Sequence, residues 1–334
     1  MQERISMMNI TLLSDVKTLI QNARLCLADQ NIITLYPKLF ADHTTYPILA
    51  HESQKDINQF VNIQDWLLSH QVRRDERVLV IGGGITLDLA GFALATCLRG
   101  IKWQAVPTTL LAMVDASIGG KVGINTSFGK NTIGAFHPPE QTFTCLQFLE
   151  SLAPIDQKNG ISEMLKHLIL TDPNLLSTIC CDDLTSEPMI AQSQKIKQQM
   201  IGTDLNDHGK RQLLNLGHTY AHAIESASQF QVPHGIAVAM GLLVEGHILE
   251  QNTDILPYTK LLAAKLKELQ FDLAFDWSFH ELRSFMHQDK KNRSHIMISS
   301  PSSSHYLYRP SDEQWELAIK ETSDLWHYIQ PSNI

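Results

Sequence analysis

Cysteine is scarce in this chain. The five residues, Cys26, Cys97, Cys145, Cys180 and Cys181, occur in a sequence of 334. The number is odd and no C-x-x-C pair occurs, which argues against a disulfide-stapled domain and for reduced thiols. No apolar run reaches membrane-span length, and Met1-Gln2-Glu3-Arg4-Ile5-Ser6 lacks the apolar core of a signal peptide. The sequence therefore predicts a cytoplasmic protein with no membrane partner. An excess of basic residues is missing too: 27 Lys and Arg stand against 35 Asp and Glu, a formal charge of −8. That balance argues against a general nucleic-acid binder. There is no internal repeat, and the one biased stretch, the Ser-rich 299–304, reads as a loop. Two common site signatures are also absent. H-E-x-x-H fails because position 219 is Thr, and G-x-G-x-x-G fails because position 87 is Leu. What remains is an ordinary globular composition, 43% hydrophobic and 19% charged, in a chain long enough for two domains.

The apolar pattern changes character along the chain. Leu25–Ala28, Val78–Ile81 and Trp103–Val106 read as short strands, separated by amphipathic stretches such as Asn58–His70. Strands alternating with helices suggest βαβ units and a parallel sheet. From about Ala153 helical spacing dominates, in Ile161–Leu170, Ile190–Ile201, Leu214–Ala227, Ile236–Glu250, Leu261–Leu269 and Trp315–Tyr328. The expectation is an α/β nucleotide-binding domain over residues 1–152 and a helical domain over residues 153–334. A crevice between them is the default ligand site.

Three segments carry chemistry. Gly82-Gly83-Gly84 follows a strand and opens a helix bearing Asp88. Such a loop lets backbone N–H groups approach a diphosphate, although a plain tight turn would look the same. The second segment runs from Arg99-Gly100 through Pro107-Thr108-Thr109 and Asp115 to Lys121, Lys130 and Asn131, punctuated by glycines. Isolated cations among small residues suit an anionic ligand; a solvated loop is the alternative. In the third, His218, His222 and Glu225 stand at i, i+4 and i+7 and share a helical face. His234 follows nine residues later, and Glu163 with Lys166 begins the helical half. A catalytic zinc needs about three protein ligands and an open position, so Glu163, His218, His222, Glu225 and His234 are all candidates. Spacing alone favours His218 with His222.

Together these blocks resemble the 3-dehydroquinate synthase family of sugar-phosphate cyclases. The matching text is Gly82–Gly91, Arg99–Ile101, Pro107–Asn125, Gly129–Phe136, Ser162–Lys166, Leu213–Glu225, His234-Gly235 and Asp289-Lys290-Lys291. Glu52 and Lys55 fit a further block whose usual glycine is His51 here. The resemblance implies a Rossmann-like NAD-binding α/β domain and an all-α metal-binding domain. It implies a zinc site (or cobalt, or another divalent metal) made by Glu163, His218 and His234, with His222 turned to substrate handling. The implied reaction converts 3-deoxy-D-arabino-heptulosonate 7-phosphate to 3-dehydroquinate and phosphate, in the shikimate pathway. NAD would take a hydride from C5 and return it after phosphate leaves. On the same footing Lys121, Asn131, His222, Arg211 and Lys166 surround the substrate. Lys197, Asn215 and Lys290 lie near its carboxylate and hydroxyls. Arg99 reaches the phosphate from a second copy, which implies a homodimer. The NAD diphosphate sits on Gly83 and Gly84 near Asp88. Thr108 and Thr109 contact the cofactor, as do Glu52, Lys55 and Ser151, while Asp115 and Lys130 lie between cofactor and substrate.

The chain departs from the family at Asp204-Leu205-Asn206-Asp207, where one carboxylate is lost and another shortened. It departs also at Ser151 and Ala153, usually Thr and Pro. Competing readings are a related cyclase, a glycerol dehydrogenase-like alcohol dehydrogenase, or a non-catalytic zinc and nucleotide binder.

Overall fold

The computed structural model describes residues 7–202, 204, 207–274, 277–288, 296–300 and 303–329. The chain divides into two compact units, Met1–Gly160 and Ile161–Ile334.

The first unit is built on a six-stranded sheet. Its strands are β1 (Met7–Ile10), β2 (Cys26–Asp29), β3 (Thr45–Ile48), β4 (Arg77–Gly82), β5 (Lys102–Pro107) and β8 (Gln141–Thr144). They lie in the order β1-β8-β5-β4-β2-β3, and every pairing is parallel. Parallel strands covered on both faces read as continuous apolar runs, which is why Val78–Ile81 was visible as a strand. Those four residues and all of β2 are buried. Helices α1 (Leu13–Asn22), α2 (Gln30–Leu35), α3 (Ile57–Ser69) and α4 (Gly84–Thr96) connect the strands. Asp56 starts α3 by accepting from the N–H groups of Asn58 and Gln59. The same helix buries Ile63 and Leu67 in a core shared with Leu27, Val80, Leu94 and Trp103. Each such aliphatic side chain contributes about 1.5–3 kcal/mol. On α4, Gly91 is the point of close approach: a Cβ there would meet Val122 Cγ1 at 2.5 Å.

The glycine-punctuated stretch 121–136, for which a solvated loop was the alternative reading, is an antiparallel pair, β6 (Lys121–Thr126) and β7 (Gly129–Phe136). Its glycines serve strand contact rather than loop flexibility. A Cβ on Gly134 would collide with the Val122 carbonyl oxygen, and one on Gly123 would meet the Ile133 oxygen at 2.7 Å.

The second unit is helical. Helix α5 (Pro154–Thr171) contains the division between the units. It is followed by α6 (Leu175–Thr178), α7 (Glu187–Ile201), α8 (His218–Ala227), α9 (His234–Asn252), α10 (Thr259–Glu268), α11 (Phe279–Gln288) and α12 (Asp312–Ile329). Helix α9 is apolar almost all round and buried from Gly235 to Gly246, as expected of a central helix. The expected helix Leu214–Ala227 is shorter. A 3-10 turn covers Lys210–Asn215, and Gly217, at φ +82°, breaks the chain before α8 begins. The Ser-rich run also differs from the loop reading. Ser299, Ser300, Ser303 and Ser304 belong to a hairpin, β9 (Ile296–Ser300) with β10 (Ser303–Tyr308), so one hairpin accompanies the helices. The expected pairing of a parallel-sheet α/β domain with a helical domain is borne out.

The five cysteines carry free thiols. Among the described residues no helix is long and apolar enough to cross a membrane.

Candidate active site

In the second unit three elements meet at one buried carboxylate. Glu163 lies on α5, His218 is the first residue of α8, and His234 is the first residue of α9. His218 Nε2 stands 3.5 Å and His234 Nε2 3.3 Å from Glu163 Oε1. A tetrahedral ion with bonds of about 2.05 Å would separate neighbouring ligand atoms by roughly 3.3 Å. All three ligand atoms lie within 4.8 Å of one another. Glu163 is fully buried, and neither of its oxygens completes a well-formed hydrogen bond among the described residues. A buried carboxylate left in that state, faced by two imidazoles, fits a divalent metal of the His2Glu type.

Charge around the cluster agrees. Lys166, i+3 from Glu163 and equally buried, forms an ion pair with its Oε2. Burial alone would raise the Glu163 carboxyl, but Lys166 and the two histidines outweigh it and hold the group well below the usual range. Burial and the Lys166 ammonium push His218 down to about 3. Burial works in the same direction on His234, yet the Glu163 and Glu225 carboxylates overcome it and push the imidazole up to about 10. Glu225, from α8, stands 3.4 Å from His234 Nδ1, where it orients the ring. His222 packs edge-on against His218, with ring centroids 5.4 Å apart, outside the three-ligand group. The i, i+4 spacing alone would have paired His218 with His222; the group instead joins His218 to Glu163 and His234.

Other expected residues of this unit lie nearby in sequence and are buried cations. Lys197 is on α7, and Arg211 is in the turn that also holds Asn215. Asp204, in the divergent run, caps that turn by accepting from the N–H groups of His208, Gly209 and Arg211. Lys290, Leu205 and Asn206 lie outside the described residues.

In the first unit the triglycine segment joins the end of β4 to the start of α4. Gly83 is the N-cap of α4, so the N–H groups of that helix's first turn open at the end of β4. A Cβ on Gly83 would meet Thr109 Cγ2 at 3.0 Å. The N–H of Thr108 donates to the Gly82 carbonyl, and the Thr109 hydroxyl accepts from the N–H of Ala112. Asp115 lies in the π-helical turn Ala112–Ala116, and Lys121 begins β6.

Beside the glycines is a polar network. Lys55 Nζ donates to Asp88 Oδ2 and to Asn131 Oδ1, both at 2.6 Å. Asn125, not singled out from sequence, joins the rest. Its side chain donates to Glu52 Oε1 at 2.6 Å and accepts from the Asn131 N–H at 2.9 Å. Lys130 Nζ is 3.9 Å from the other Glu52 oxygen. Burial raises the Asp88 carboxyl, and Lys55 opposes that rise. Ser151 ends the 3-10 turn Leu146–Ser151, and its hydroxyl accepts from Tyr36. Arg99 is exposed, at a corner where Leu98, Arg99 and Gly100 all have positive φ.

A parallel-sheet unit with a glycine loop at a strand end, followed by a helical unit with a His2Glu cluster, defines a nucleotide- and metal-dependent enzyme class. Solved structures of other proteins share the fold. Similar is 2-epi-5-epi-valiolone synthase from Streptomyces hygroscopicus subsp. jinggangensis 5008, a structure with NAD+ and Zn2+ bound. Its TM-score is 0.84 at 21% identity, over 97% of this chain and 98% of that one. A 2-deoxy-scyllo-inosose synthase complexed with carbaglucose-6-phosphate, NAD+ and Co2+ gives 0.80 at 18% identity, over 95% and 99%. Family models for the 3-dehydroquinate synthase N-terminal and C-terminal regions match residues 45–159 and 160–292. The 3-dehydroquinate synthase of Leptospira interrogans serovar copenhageni is 36% identical over 82% of this chain and 80% of its own. That of Staphylococcus epidermidis strain RP62A is 37% identical over 73% and 72%. The chain belongs to the 3-dehydroquinate synthase family.

Proposed function

We propose that this chain converts 3-deoxy-D-arabino-heptulosonate 7-phosphate to 3-dehydroquinate and phosphate, using NAD and a divalent metal, zinc or cobalt. The observation that carries the reading is the convergence of Glu163, His218 and His234 on one buried point in a member of this family. Those three residues hold the metal, which when bound supplies a Lewis acid for the substrate's ring oxygens. NAD when bound supplies a reversible hydride acceptor at C5, with no net turnover. The first turn of α4, entered through Gly83 and Gly84, takes the cofactor diphosphate.

The remaining groups bind and orient. Lys166 keeps Glu163 ionised and so keeps it a ligand. Lys197 and Arg211 bring positive charge for a substrate that carries a carboxylate and a phosphate. Lys121, Asn131, His222 and Asn215 are further substrate-binding groups. The network around Lys55 and Asp88 keeps the β6–β7 hairpin in place beside the cofactor loop. Arg99 acts on the phosphate of a second copy, so the active form is a homodimer. The five free thiols support a reducing, cytoplasmic setting.

Phosphate release from the heptulosonate phosphate tests the reading. Turnover is expected with catalytic NAD, and loss on chelation with recovery on adding zinc or cobalt. Oxidation of an added polyol with stoichiometric NADH, and no phosphate release, would overturn it in favour of a dehydrogenase.

A further inference from the structure

The helix that carries His218 begins without a cap of its own. Its N-cap residue is Gly217, which has no side chain to offer the open N–H groups of the first turn. A carboxylate from the neighbouring helix serves instead. Glu245, on α9, accepts from the Gly217 N–H through Oε2 at 2.7 Å and from the Tyr220 N–H through Oε1 at 3.0 Å. Those two residues bracket His218. Glu245 is fully buried, where an ionised carboxylate is costly unless both oxygens find donors. The two N–H groups and the positive end of α8 provide that compensation.

One turn earlier on α9, Gly241 meets the other side of the same residue. A Cβ there would collide with the Gly217 carbonyl oxygen. Helix α9 thus grips Gly217 at both its N–H and its C=O. The His218 ring is then set by Nδ1, 3.2 Å from the Leu216 carbonyl oxygen, which leaves Nε2 facing Glu163. The arrangement is reciprocal: α8 sends Glu225 to the ring of His234 on α9.

We infer that Glu245 is a positioning residue for the metal centre: its carboxylate fixes the first turn of α8 and so the place of the ligand His218. The inference rests on the metal reading above. Zinc affinity, read by competition with a chelating dye, and the visible spectrum of the cobalt-loaded protein test it without recourse to turnover. Glu245→Gln loses one of the two acceptors; zinc affinity is expected to fall about 10–100-fold, and the cobalt bands to shift. Glu245→Asp keeps the charge on a side chain one methylene shorter and is expected to fall between; it decides the matter if the Gln variant does not fold. Leu249→Ala, a cavity one helical turn beyond Glu245, is expected to lower the melting temperature while leaving affinity and spectrum unchanged.

Unchanged zinc affinity and cobalt bands in the Glu245 variants would overturn the inference, as would an equal loss of affinity in Leu249→Ala. If wild-type protein binds neither ion, or binds as well after His218→Ala, the metal reading itself fails and takes the inference with it.

Discussion

Replacing Lys55 by Met keeps the aliphatic stem and removes the ammonium that joins α4 to the β6–β7 hairpin. The Lys55 side chain is 4% exposed and that of Asp88 19%, at an Nζ–Oδ2 distance of 2.6 Å. Removing one partner of a buried pair costs about 3–5 kcal/mol, because the other charge stays behind without compensation. Two features reduce that here. Asp88 keeps some solvent contact, and burial already favours its protonated form, so the orphaned carboxyl can take up a proton. Loss of the donor to Asn131 acts in the other direction. The expected loss is roughly 2–4 kcal/mol, a fall in the melting temperature of roughly 5–15 °C for a unit of this size.

The double variant Lys55→Met/Asp88→Asn removes the unpaired charge and is expected to recover about half of the loss. Urea unfolding of wild type, both single variants and the double variant measures the cycle. A single variant as stable as wild type, or a double variant no more stable than Lys55→Met, would refute the reasoning.

The first unit should also weaken in acid. Arg24 holds the Glu76 carboxyl below the usual carboxylate range; at Glu140, burial pushes upward, but Lys102 and Arg77 overcome it. Depressed carboxyls give stability that is present above the unfolded value and lost as pH falls through the folded one. Urea midpoints should therefore drop below about pH 4.5 in wild type, and less steeply in Glu76→Gln/Glu140→Gln; parallel pH profiles would count against it. His234→Ala should abolish metal retention and turnover together, and wild-type metal content would sink the ligand assignment. Arg99→Ala mixed with His234→Ala should regain about a quarter of wild-type activity if each site takes Arg99 from the other copy, since half the dimers are mixed and each has one intact site. Absence of recovery in demonstrated mixed dimers would rule out sharing.

The legible parts of the fold were those with local signals. Apolar runs at Val78–Ile81 and Trp103–Val106 marked β4 and β5 to within two residues, because strands buried on both faces leave no polar alternation to misread. The β6–β7 hairpin was not legible, because Gly123 and Gly134 suggest flexibility until one sees the backbone each lies against. At the metal cluster, Glu163 lies 55 positions before His218 in the chain. No periodicity links residues that far apart, so only a resemblance could join them. Glu225 was visible on the histidine face. Glu245 and Asn125 carried no signal: a single carboxylate in an apolar helix and an amide in a glycine-rich segment acquire meaning only from the backbone N–H groups and side chains they meet.

The close approach of Gly241 to the Gly217 carbonyl constrains how such enzymes can be recombined. The 228–233 connection between α8 and α9 looks like a natural crossover point for a chimaera, being a short link between two complete helices. Yet an incoming α9 with any side chain at position 241 would collide with the resident peptide at 217. The two helices therefore form one heritable block, and a productive crossover must fall before the 3-10 turn at Lys210 or after α9 ends at Asn252.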